Sequence, residues 1–328
     1  MDFSELSRIT SGFTQSRIIQ VAVKLGAFDA IETRGSSSAE IAKALSTNPR
    51  ATELFLNALV ALGLLHKEKD KFYNTDSSLT YLVKTSPKYF GGMILFEEGL
   101  WSTWGRLEEA IHTGKPARSP DMFQEKEEET ERFIMAMHTL VMARGDAEIL
   151  SDLLDFKETK TVIDIGSGPG TYPMQFLKKY PHLKITIFDL PGTLNVTRKV
   201  LKKEKMDGKI ELVEGNYNTD EIPHGFDVVF LSNIIHSENE EANQKLMKKV
   251  YASLNRNGRI IIKDHILDDT LTGPAIGAIF SVQMLLVTKG RDYSFREVEG
   301  WLEDAGFKKS EWIRLKPPLT SSLVIGWK

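Results

Sequence analysis

From Thr161 onward, short apolar runs alternate with helical segments, and the first run leads directly into a glycine-rich turn, Asp164-Ile-Gly166-Ser-Gly168-Pro-Gly170. The runs Thr161–Ile165, Lys184–Phe188, Ile210–Val213, Phe226–Leu231 and Arg259–Lys263 are rich in Val, Ile and Phe and read as strands. Tyr172–Lys179, Leu194–Lys203 and Glu241–Leu254 read as the helices between them. Buried strands joined by helical crossovers imply an α/β fold with a parallel, doubly wound sheet. A helix over Phe295–Ala305 then leads to two last strands, Glu311–Leu315 and Leu323–Trp327, expected as an antiparallel edge pair.

The front of the chain has a different period. Ile9, Phe13, Ile18, Ile19, Val21, Ala22 and Leu25 recur at helical spacing, and Gly26 follows as a stop. Short helices are expected over Ile41–Leu45 and Ala51–Leu62, the second opened by Asn48-Pro49. Leu64–His66 and Lys71–Tyr73 then form a hairpin across Lys69-Asp70, which completes a winged-helix-like outline. Further helices are expected near Tyr89–His112 and Glu127–Leu154, the second opening in the acidic run Glu125–Glu131, a solvated start that suits the helix dipole. A chain of 328 residues exceeds what one core usually organises. The expected division is 1–100 as a winged-helix-like domain, 101–155 as a helical connection and 156–328 as the sheet domain.

Several function classes are excluded by composition. With 41% hydrophobic and 27% charged residues the chain reads as soluble and globular. A net charge of −3 gives no electrostatic reason for nucleic acid or an anionic membrane as partner. The presumed recognition helix, Arg50–Leu62, carries no basic residue beyond Arg50, and Phe55, Leu56, Leu59, Val60 and Leu62 leave little polar face for a DNA groove. The absence of cysteine rules out disulfides, thiolate metal sites and a Cys nucleophile, and suits a reducing cytosol. MDFSELSRIT lacks a signal-peptide core, and Ile276–Val287 is too short to span a bilayer, so a cytoplasmic location is expected.

The glycine turn narrows the ligand. A dinucleotide fold wants GxGxxG, but here the spacing is GxGxG and position 171 is Thr. Asp164, opening the turn, is awkward for a pyrophosphate and suits a ligand with positive charge. S-Adenosyl-L-methionine carries a sulfonium and an ammonium and no phosphate. Asp189, ending the second strand about 20 residues beyond the turn, stands where a carboxylate accepts both ribose hydroxyls.

On these features the chain resembles the plant- and bacterial-type small-molecule O-methyltransferases, the family of caffeic acid and acetylserotonin O-methyltransferases. The matching stretches are Leu25-Gly-Ala-Phe-Asp29, Leu62-Gly-Leu-Leu65, Asp164–Gly170, Phe188-Asp-Leu-Pro191, His236 and Asp304-Ala-Gly-Phe307, spread over nearly the whole length. The resemblance implies a Rossmann-like class I methyltransferase sheet with S-adenosyl-L-methionine as cofactor and no metal. It implies contacts from Asp164, Gly166, Gly168, Gly170, Asp189, Leu190 and Ser232. The family's GD pair, whose Asp meets the adenine, matches Gly215-Asn216, an amide in place of a carboxylate that can still hydrogen-bond the adenine amino group; Tyr217 beside it can pack on the adenine face. It further implies a homodimer built by residues 1–100. The acceptor is expected to be a small aromatic or conjugated hydroxyl compound, lined by Phe133, Met137 and Met284, with residues 101–155 contributing to its pocket.

Methyl transfer to a hydroxyl requires removal of its proton. Phe226–Leu231 followed by Ser232-Asn-Ile-Ile-His236 places His236 just past the carboxyl end of a central strand, on the rim that carries the glycine turn. An imidazole with an ordinary pKa near ~6.5 is a suitable base at neutral pH, and the family uses a His at this position. Asp264 and Asp292 match acidic positions that flank the base in the family, where Glu is usual, and either can orient His236. The residue after the family's His is usually acidic; Ser237-Glu238 departs from this and leaves carbon methylation open, as it leaves a catalytically silent cofactor-binding chain should His236 not face the cofactor. His138, next to Met137, stays undecided, whereas His66, His112, His182, His224 and His265 have no such support.

Overall fold

The computed structural model describes residues 1–121 and 123–328. They divide into two units, Met1–Trp101 with Met135–Ala143, and Ser102–Ile134 with Arg144–Lys328.

In the first unit a helix over Phe3–Leu25 starts at a capping box between Asp2 and Glu5 and stops at Gly26, whose φ of 76° is left-handed. It buries Ala22 and Val23, while Phe3, Leu6, Ile9 and Phe13 stay exposed. Helices Ser38–Leu45 and Pro49–Ala61 follow, capped by Ser37 and Asn48. Strands β1 (Ser36–Ser37), β2 (Leu65–Glu68) and β3 (Lys71–Asn74) pair antiparallel in the order β1-β3-β2. Phe28, Ile41, Leu56, Leu59, Leu65 and Phe72 form the core beneath them.

Two expected long helices are broken at glycine. The segment from Tyr89 to His112 forms Gly91–Gly99, Trp101–Trp104 and Leu107–Thr113, because glycine weakens a helix wherever packing does not hold it. The segment from Glu127 to Leu154 divides at Gly145, φ 73°, into Glu127–Arg144 and Asp146–Leu153.

The second unit is built on β4 (Thr161–Ile165), β5 (Lys184–Asp189), β6 (Glu211–Glu214), β7 (Phe226–Ser232) and β8 (Leu254–Asp264), all parallel. β9 (Ile266–Leu267) and β10 (Tyr293–Ser294) pair separately, while β11 (Lys309–Arg314) and β12 (Ser322–Trp327) add antiparallel to the main sheet. The order is β11-β12-β8-β7-β4-β5-β6, so β12 is interior and only β11 lies at that edge. Ile163, Ile165, Val229, Leu231, Ile260 and Ile262 are fully buried in the centre. From β4 the chain winds outward through β5 and β6, then returns to β7 and β8 on the other side. That reversal opens a crevice at the carboxyl ends of the strands, where ligands of such sheets bind.

Candidate active site

Gly166, Gly168 and Gly170 after β4 have φ values of 68°, 61° and 76°, a region L side chains rarely enter. A Cβ on Gly166 would stand 2.4 Å from the tip of the Ile234 side chain, which would have to shift, and the left-handed backbone would strain any other residue there. Asp164 at its start is buried, and among the described residues neither carboxylate oxygen has a hydrogen-bond partner. Burial pushes its pKa up to about 7, and the Asp189 charge adds to this; the nearby Ser167 hydroxyl opposes it without reaching hydrogen-bond geometry. An orphaned buried carboxyl beside an open backbone cradle fits a ligand that brings a cationic donor.

Asp189 ends β5 and accepts from the Gly168 N–H at 2.8 Å and the Leu190 N–H at 2.7 Å. Burial raises it to about 6 against those two bonds. Each oxygen keeps lone pairs for hydroxyl donors. Thr197 donates to Gly168 O at 2.6 Å and pins the turn to the helix Pro191–Lys203. Past β6, Asn216 Oδ1 accepts from its own turn, the Asn218 N–H at 2.9 Å. The Tyr217 ring lies against Gly166, and its hydroxyl donates to Glu238 Oε1 at 2.9 Å. Ser232, ending β7, has a buried hydroxyl oxygen that reaches no hydrogen-bond geometry among the described residues, with the Tyr172 hydroxyl nearby.

His236 sits on a short 3-10 turn, Ile235–Ser237, after β7, and its Nδ1 is 2.6 Å from Asp264 Oδ1 at the end of β8. Burial pushes the Asp264 carboxyl up, but the His236 ring and its hydrogen bond, with His265 behind, hold it below the usual carboxylate range. Asp292 is buried, with neither oxygen hydrogen-bonded among the described residues; burial and the Asp264 charge push it up to about 8, with His236 opposing. His236, Asp264 and Asp292 bring one polar atom each within 4.8 Å of one another, a spacing a small cation can span. The 2.6 Å contact is that of a direct hydrogen bond, which leaves no room for an ion between those two atoms.

The sequence carries no local signal for three neighbours of this centre. His265 Nδ1 lies 3.5 Å from Asp292 Oδ2, and its Nε2 lies 3.2 Å from Thr320 Oγ1. Burial lowers the His265 pKa, helped by Lys263 and Arg144 and opposed by Asp264. The Phe280 ring stands edge-on to both imidazoles, with centroids 5.0 Å from His236 and 4.9 Å from His265. A Cβ on Gly290 would come within 2.3 Å of His236 O and 2.5 Å of Glu238 O, so only glycine lets the segment bearing Asp292 pass so close.

Of the residues expected at the acceptor, Phe133 stacks on Phe123 at 4.7 Å, and Met284 is buried on the helix Ala275–Val287. Met137 and His138 are half-buried within the segment Met135–Ala143 that groups with the first unit.

A family model described as an O-methyltransferase domain matches residues 107–308, and one described as an O-methyltransferase dimerisation domain matches residues 7–84. A 3-hydroxy-5-methyl-1-naphthoate 3-O-methyltransferase of Streptomyces sahachiroi is 30% identical, over 98% of this chain and 94% of its own. Among solved structures, an O-methyltransferase family protein from Burkholderia thailandensis has a TM-score of 0.89 at 28% identity, covering 100% of this chain and 98% of that one. Human N-acetylserotonin methyltransferase, solved in complex with S-adenosylmethionine, has the same fold at 24% identity, with a TM-score of 0.89 and coverage of 100% and 98%.

Proposed function

The chain belongs to the O-methyltransferase family and acts on small molecules with S-adenosylmethionine, and from that premise we propose that His236 is its general base toward an aromatic or conjugated hydroxyl. The 2.6 Å contact between His236 Nδ1 and Asp264 carries this reading. An ionised carboxylate can only accept, so Nδ1 bears the hydrogen and Nε2 keeps the lone pair. Nε2 takes the hydroxyl proton, and the imidazolium that forms is stabilised by Asp264, with Asp292 the other carboxyl beside it.

When bound, S-adenosylmethionine supplies a methyl group on a positively charged sulfur, already a good leaving group. The protein's share is then positioning and one proton transfer. Asp164, Gly166, Gly168, Gly170, Leu190 and Ser232 would hold the amino-acid and sulfonium side, Asp189 the ribose, and Asn216 and Tyr217 the adenine. Phe133, Met137 and Met284 would line the acceptor, with residues 101–155 as the helical connection and 156–328 as the catalytic domain. Residues 1–100 would join two copies as a winged-helix-like dimerisation domain, a reading supported by the exposed Phe3, Leu6, Ile9 and Phe13.

The experiment is turnover of His236→Ala on a hydroxyl acceptor, with cofactor binding followed by calorimetry. The variant should keep cofactor affinity and lose about 10²–10⁴-fold in rate. Methylation at the native rate would make His236 structural.

A further inference from the structure

We infer that Glu238 is the residue through which this chain recognises the exocyclic amino group of adenine. The inference rests on the reading that the Asn216–Tyr217 turn holds the adenine of the cofactor.

An amino group in that place needs an oxygen acceptor, and the side-chain oxygens of the turn itself each accept one bond already. Asn216 Oδ1 is taken by the Asn218 N–H at 2.9 Å. Asp220 accepts from the Asn216 N–H on Oδ2 at 2.8 Å and from the Thr219 hydroxyl on Oδ1 at 3.1 Å. Glu238 differs. Both of its side-chain bonds, from the Tyr217 hydroxyl at 2.9 Å and the Asn218 amide at 2.8 Å, fall on Oε1. Among the described residues no hydrogen bond reaches Oε2.

The carboxylate is held in place from both sides. Lys249 Nζ donates to the carbonyls of Tyr217, Asn218 and Asp220 at 3.0, 3.2 and 2.9 Å and so fastens the turn. The backbone carbonyl of Glu238 accepts from the Tyr293 hydroxyl at 2.6 Å and the Asn243 amide at 3.2 Å. Burial and the adjacent Glu238 charge raise the Tyr217 pKa well above its ordinary value, so Tyr217 stays a donor and Glu238 the acceptor. The Tyr217 ring lies against Gly166 and its hydroxyl ends on the Glu238 carboxylate, so one side chain links the cofactor turn to Glu238. A 6-amino purine gives this oxygen a donor; a 6-oxo purine opposes it with another acceptor and is disfavoured.

Calorimetric titration with S-adenosylhomocysteine and with S-inosylhomocysteine, which carries oxygen in place of the amino group, tests this. The native chain should prefer the amino ligand by roughly 10- to 100-fold, the range of a lost charge-assisted bond. In Glu238→Gln the amide oxygen keeps the Tyr217 and Asn218 bonds and turns its NH₂ toward the ligand, so the preference should collapse or reverse. Glu238→Ala should bring the two affinities together. The same ratio in the native chain and in Glu238→Gln, with both ligands still binding, overturns the role of Glu238 alone. Failure of S-adenosylhomocysteine to bind the native chain overturns the cofactor site itself, and this inference with it.

Discussion

His236 and Asp264 meet at 2.6 Å because their strands are neighbours: β7 pairs with β8 in parallel, Ser232 opposite Lys263, so both residues leave the sheet on the same rim. The sheet brings the two strand ends together, and the 3-10 turn Ile235–Ser237 carries His236 onto Asp264.

Asp264→Asn tests what the carboxylate does beyond holding the ring. An amide can donate to Nδ1, which moves the hydrogen to Nε2 and removes the lone pair that takes the proton. Turnover should fall about 10²–10⁴-fold while cofactor affinity stays within a few-fold. A variant that turns over at near-native rate would show that Asp264 does not set the tautomer.

Cofactor binding should be linked to pH through Asp164, which burial pushes up to about 7. A cationic ligand favours the ionised carboxylate, so binding should release a proton and strengthen as pH rises from 6 to 8. Calorimetry in buffers of different ionisation enthalpy measures the release, and Asp164→Asn should reduce it. Equal proton release in native and variant would sink the idea.

Asp292 should leave a mark on stability without ligand. Its carboxyl is raised to about 8, above the ordinary unfolded value near ~3.9, so the folded chain holds this proton more tightly than the unfolded chain does. The associated stability is fully present at acid pH and is lost as pH rises through about 8. Asp164 and Asp189 shift in the same direction, so the comparison is native against Asp292→Asn. The urea midpoint of the native chain should drop more between pH 6 and pH 9 than that of the variant; parallel curves would contradict this.

The first helix should be an interface. Phe13 is 60% exposed and Ile9 54%, on a helix whose buried residues lie toward its other end. Light scattering at micromolar concentration should report a dimer, and Phe13→Glu should weaken it by at least about tenfold, as for a charge placed in an apolar contact. A native monomer at that concentration would remove the claim.

The sheet was legible because its central strands are Val-, Ile- and Phe-rich runs whose neighbours are helices. β8 was read as starting at Arg259, whereas it begins at Leu254; Asn255, Arg256 and Asn257 are exposed there, so no apolar signal marks them. Ile9 and Phe13 followed helical spacing yet face solvent, since periodicity reports an apolar stripe and not what covers it. Asp264, Asp292 and His236 were legible from strand ends and a motif. Gly290, His265 and Glu238 were not, because each acts through contacts distant in sequence: Gly290 against the backbone of 236–238, His265 against Asp292 and Thr320, Glu238 against Tyr217.

Every residue assigned here to the cofactor lies at or just past the carboxyl end of a strand from β4 to β7, while Phe133 and Met284 belong to helices outside the sheet. The two sets answer to different constraints. The strand-end groups take their spacing from one another through the pairing register of the sheet. The helical positions proposed for the acceptor would contribute side chains alone and would be exchangeable singly. Selection can then retune which molecule is methylated, one side chain at a time, without reopening the chemistry.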